Sequence, residues 1–94
     1  MRKIIVTGLL LILSPLAVAK IPAKLSLCAA CHGKNGIGTQ DKYPNLAGQK
    51  KAYLVSALKA YKSGSRKNAE MSPMAMPLTD KDIEELAIYF SKIK

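Results

Sequence analysis

Cys28-Ala29-Ala30-Cys31-His32 is the stretch on which the fold of this chain turns. Its two cysteines, two residues apart, are the only cysteines in 94 residues, and His32 is the only histidine. Several chemistries use a C-x-x-C pair. A redox dithiol of the thioredoxin type sits where a strand meets a helix, and the flanking sequence offers no convincing strand. A structural zinc site needs four ligands, which one histidine and a single cysteine pair cannot supply from typical residues. A disulfide across so short a loop would constrain almost no chain. What remains is a covalently tethered group, bound by both sulfurs with a histidine beside them.

Upstream of the motif stands the pattern of a secretory signal. Arg2 and Lys3 form a charged start, and residues 4–13 are an apolar run broken only by Thr7 and Gly8. Pro15 follows, and Ala17-Val18-Ala19 has the small-x-small form that a signal peptidase needs. The expectation is cleavage after Ala19, export, and a mature domain over residues 20–94. The apolar run is shorter than the ~20 residues of a membrane span. Taking the first 19 residues from 94 leaves 75, enough for one domain but too few for a generous core. A chain of that size needs a staple, and a cofactor held at the cysteines is the best available.

Without Arg2 and Lys3, 13 basic residues stand against six acidic ones, a net charge of +7. Export argues against nucleic acid as the partner, which normally wants aromatic stacking residues or a recognition helix among the charges. Acidic protein partners and anionic surfaces stay open.

Downstream, residues 33–48 (GKNGIGTQDKYPNLAG) are dense in Gly, Asn, Asp and Pro and have no period, which predicts an ordered loop wrapped around something. The spacing then predicts a helix over 49–63, with Tyr53, Leu54, Ala57, Leu58 and Tyr61 on one face and Gly64 as terminator. A second irregular stretch, 65–78, holds Met71, Met74, Met76 and two prolines. The last helix is announced by Thr79 as N-cap with Asp82 three residues on, and its apolar stripe is Ile83, Leu86, Ala87, Phe90 and Ile93. Pro22 suits the first turn of a short helix running into the cysteines.

The C-x-x-C-H spacing is that of covalent haem attachment. One helical turn separates the sulfurs, so that each can form a thioether to a vinyl group on neighbouring pyrroles. The next residue, His32, then aims its imidazole at the iron from the same side. Three methionines compete to be the sixth ligand. The chain must reach the iron opposite His32 and still travel to the cap at Thr79. Met76 lies three residues before that cap, Met74 five and Met71 eight.

In three segments the sequence resembles the class I c-type cytochromes, specifically the small bacterial group that resembles one half of the dihaem periplasmic cytochromes. These are CAACHGKNGIG from Cys28, YPNLAGQKKAYLVSALKAYKSGSRKN from Tyr43, and EMSPMAMPLTDKDIEELAIYF from Glu70, in that order. The resemblance implies an all-α fold of short helices wrapped around one covalent haem c, the first and last helices crossing. It implies that Met71, first of an M-x-x-M pair, is the second axial ligand, that Met74 packs on the haem, and that the Pro44 carbonyl accepts a hydrogen bond from His32. The chain departs from the family at Lys24, where an aromatic residue often stands, and a reduced contact with Phe90 is expected.

The function so implied is a soluble periplasmic electron carrier, not an enzyme. It would be a monomer serving redox proteins with acidic docking surfaces, and would meet a membrane only through partner complexes. A His/Met iron is six-coordinate in both oxidation states, so little bonding changes on electron transfer, and thioether ligation raises the potential. Lys20, Lys24, Lys34, Lys42, Lys50 and Lys51 are candidates for the docking face. The competing readings are a pentacoordinate haem protein that binds or reduces a small ligand, and a membrane-held module of a respiratory complex.

Overall fold

A computed structural model of the protein describes residues 21–94, and the expected signal segment with its cleavage site lies outside them. Four helices follow in chain order: α1 Leu25–His32, α2 Lys51–Ser63, α3 Met71–Ala75 and α4 Asp80–Ser91. No strand occurs among the described residues.

α4 forms where the sequence announces it. The Asp82 backbone N–H donates to Thr79 Oγ1 at 3.1 Å, and the Thr79 N–H donates to Asp82 Oδ2 at 3.0 Å, closing a reciprocal capping box. Behind it, Ile83, Leu86, Ala87 and Phe90 are buried, and Ile93 packs at the margin. Leu54 of α2, Ala75 of α3 and Leu78 complete the core, and the heaviest helix packing is α2 against α4, then α2 against α3. At the far end of α2 the chain must turn sharply. Gly64 does this in the left-handed region (φ 85°), returning its N–H to Ala60 O.

Three boundaries differ from expectation. α1 begins at Leu25, because Pro22 closes a turn ahead of it through its carbonyl, which accepts from Leu25 N–H. α2 begins at Lys51, since Lys50 is still extended (φ −61°, ψ 130°). The stretch 65–78 is not wholly irregular. Asn68 Oδ1 accepts from the N–H groups of Glu70 and Met71, both at 2.9 Å, and so starts α3. Pro73 stands third in that helix, where its missing N–H is not needed.

The loop 33–48 is ordered by its own hydrogen bonds. Gly36 O accepts from Leu46 N–H at 2.8 Å and Ala47 N–H at 3.0 Å. A Cβ on Gly36 would lie 2.6 Å from Ala47 N, and its φ is +73°, so only glycine fits there. Cys31 O receives both the N–H and the hydroxyl of Thr39, at 2.9 and 3.1 Å, which ties the start of the loop to the second cysteine. α1 meets the core through Leu25 and Cys28, while Phe90 is buried against Tyr89, edge to face. Phe90 therefore lies in the core with an aromatic neighbour from its own helix, and Lys24 is not called on to cover it.

Candidate functional site

Between α1, the loop, α2 and α4 lies an apolar cleft. Every position of the predicted α2 face lines it: Tyr53, Leu54, Ala57, Leu58 and Tyr61. Leu86, Ala87 and Phe90 of α4 form an adjoining wall, and Pro44 and Leu46 bring in the loop. The face that periodicity marks as core is therefore shared between the core and this cleft.

His32 ends α1 on the cleft and is only 6% exposed. Its Nδ1 lies 2.8 Å from Pro44 O. A carbonyl can only accept, so Nδ1 carries the hydrogen and Nε2 is left with its lone pair free to bind a metal. This contact spans the loop that the Gly36 hydrogen bonds fold, so the glycine-rich stretch positions the histidine's acceptor.

Cys28 also lines the cleft, and burial pushes its thiol up to about 11. A group so costly to ionise suits a neutral thioether in the same place. Cys31 is half-buried, with its backbone held by Thr39, and does not itself line the cleft wall. The phenol of Tyr43, raised above its ordinary value chiefly by its hydrogen bond with Cys31, stands beside it.

Of the three methionines in 71–76, Met71 lines the cleft. Met74 and Met76 do not, being 48% and 64% exposed. α3 places Met74 off that wall. Sequence reasoning also passed over Arg66, which lines the cleft. Its signal was composition: it is the only arginine after Arg2 in a chain with 13 lysines.

Of the lysines suggested for a docking face, Lys20 lies outside the described residues. Lys42 pairs with Glu70 at 3.5 Å, and Lys51 pairs with Glu84. Lys34 and Lys50 are exposed, and Lys24 is half-buried.

A haem c fits these residues. Cys28 lines an apolar cleft with Cys31 one helical turn further on, a buried histidine there has its free nitrogen fixed by its tautomer, and Met71 lines the same cleft. Among the described residues no helix is long and apolar enough to cross a membrane, and no cluster of three or more His, Cys, Asp or Glu offers another metal site.

Comparison with known proteins agrees with this chemistry. The family model described as Cytochrome c matches residues 20–94. Cytochrome c-554(548) of Halomonas halodenitrificans is 49% identical over 71 residues, covering 72% of this chain and 86% of that protein. The thiosulfate dehydrogenase electron acceptor of Thiomonas intermedia is 41% identical over 88 residues, covering 93% of this chain and 41% of that protein. Cytochrome c4 of Stutzerimonas stutzeri is 41% identical over 80 residues, covering 76% and 38% respectively. The chain thus spans about two-fifths of the length of these last two relatives. The attachment motif and the sequence matches agree: the chain belongs to the cytochrome c family, with a covalently bound haem c and the work of an electron carrier.

Proposed function

We propose that Cys28 and Cys31 form the two thioethers, that His32 Nε2 and Met71 Sδ are the axial ligands, and that Pro44 O orients the proximal imidazole. The observation that carries this assignment is the His32–Pro44 hydrogen bond at 2.8 Å on a cleft that Cys28 and Met71 also line. The bound haem supplies a one-electron ferric/ferrous couple. His32, held by Pro44, keeps its ring orientation in both states, and the hydrogen bond raises its basicity. Leu54, Leu86 and Phe90 line the cleft and would keep water from a group held there, and Met71 would offer a neutral, polarisable sulfur.

The protein works as a soluble, monomeric carrier in the periplasm, exported by a signal removed after Ala19, and it performs no substrate chemistry of its own. Bacterial c-type cytochromes are typically periplasmic, and the segment before residue 20 has the three parts of an export signal. Its donors and acceptors are redox proteins with acidic docking surfaces, to which a net +7 gives long-range attraction. The relative named as an electron acceptor of a dehydrogenase supports a place downstream of an oxidising enzyme. The test is intact mass and visible spectroscopy of protein exported with haem-attachment machinery. The expected mass is the chain from Lys20 plus one haem, with a low-spin spectrum in both redox states. A freely extractable haem, or a high-spin ferrous form, would contradict the assignment.

A further inference from the structure

α2 lines the cleft with one face and, at its last turn, reaches the segment that carries Met71. Lys62 Nζ donates to Leu78 O across 16 residues of chain. That carbonyl has a particular need of a donor. The N–H that would ordinarily return to it from the first turn of α4 belongs to Asp82, and the capping box gives that hydrogen to Thr79 Oγ1 instead. The next N–H, of Ile83, goes to Thr79 O. Leu78 is 2% exposed, and an unpaired carbonyl on so buried a residue is costly. Among the described residues, Lys62 is the donor that this oxygen receives.

The rest of the segment 68–78 is tied at its start by polar contacts and at its end by apolar ones. Asn68 Oδ1 accepts from Met71 N–H at 2.9 Å, and Asn68 N–H donates to Ser72 Oγ at 3.0 Å. At the other end Ala75 and Leu78 are buried in the core, and Leu78 N–H donates to Ala75 O at 3.1 Å. Pro73 and Pro77 stiffen the backbone between the two ends. A stiff segment tied at both ends leaves the cleft when one end is released. We propose that Lys62 is a positioning residue for Met71: by holding Leu78 O it fixes the far end of this segment and keeps the Met71 sulfur on the iron. Lys62 does not itself line the cleft, so it acts through Leu78. The proposal rests on the assignment of Met71 as an axial ligand.

The test adds imidazole to the haem-loaded ferric protein, where it binds the iron only when Met71 is off it. The second-order binding rate therefore scales with the fraction of open molecules. Lys62→Met keeps most of the stem and removes the donor. It should speed imidazole binding roughly fivefold, the worth of one net hydrogen bond, and speed hydrogen exchange at the Met76 and Leu78 N–H groups by a similar factor. Lys62→Arg, which keeps a donor and the charge, should return both rates to within about twofold of wild type. Ile83→Val, a small truncation in the core and off the cleft wall, controls for plain destabilisation. A Lys62→Met protein that melts lower but binds imidazole at the wild-type rate has a structural role only, which overturns the proposal. So does an Ile83→Val protein that speeds binding as much for the same loss of melting temperature. If Lys62→Met loads no haem, Lys62→Gln, shorter and uncharged, decides on the same two rates. A wild type without the methionine-to-iron band overturns the Met71 assignment beneath the proposal. A band present throughout, with imidazole rates unchanged, overturns the proposal alone.

Discussion

Leu86→Ala separates the two duties of the apolar residues. Leu86 is 1% exposed, belongs to the core and lines the cleft, whereas Leu78 is equally buried but lies off the cleft wall. Truncating a buried leucine to alanine costs about 2–5 kcal/mol, from lost transfer energy and the cavity left behind. For a domain of about 75 residues the unfolding entropy is roughly 0.16 kcal/mol per degree, so the melting temperature should fall by roughly 13–30 °C. Leu86→Ala and Leu78→Ala should both show this loss in thermal melts of the haem-loaded protein. Only Leu86→Ala opens the cleft to water, which stabilises the more charged ferric state and lowers the potential. A melting temperature within about 3 °C of wild type for Leu86→Ala would refute the packing argument. Equal potential shifts in the two variants would refute the assignment of Leu86 to the cleft wall.

Thr79→Ala should cost about 1 kcal/mol, seen as a drop of roughly 6 °C in the melting temperature, by removing one half of the capping box. The Thr79 backbone N–H holds the Asp82 carboxyl below its ordinary value, so its stabilisation is present above the usual aspartate range and is lost as pH falls through the lowered value. The stability gap between wild type and Asp82→Asn should therefore close on acidification. Electron transfer to an acidic redox protein should slow several-fold as ionic strength rises from about 0.01 to 0.15 M, where the screening length shrinks from ~30 to ~8 Å. A rate indifferent to salt would mean that pairs such as Lys42–Glu70 and Lys51–Glu84 leave no coherent basic face.

Much of this architecture is legible in the sequence because its signals are local. The Thr79/Asp82 box and the stripe from Ile83 to Phe90 lie within one helix, and each is read from spacing of three or four residues. The α2 face is equally legible, but its purpose is not. Periodicity marks Tyr53 and Leu58 as facing something apolar and cannot say whether that is protein or a cleft. α3 escapes because it is started by Asn68, which stands ahead of the helix and accepts from the N–H groups of Glu70 and Met71, and Pro73 disguises the segment as a loop. Arg66 is invisible to pattern reading, since a lone charge after a terminator glycine reads as solvated surface. The turn that returns it over Tyr61 puts this exposed residue at the cleft. The placement of Pro44 beside His32 is a contact across 12 residues of loop, and it entered the sequence reading through family resemblance alone.

The most direct test of the account is a redox titration with visible spectra on the wild type and the three methionine variants Met71→Ala, Met74→Ala and Met76→Ala. The account predicts one covalent low-spin haem in the wild type, with a methionine-to-iron charge-transfer band in the ferric state. Met71→Ala alone should abolish that band and lower the potential, because Met71 lines the cleft while Met74 and Met76 face solvent. Loss of the band on Met74→Ala with its retention in Met71→Ala would contradict it.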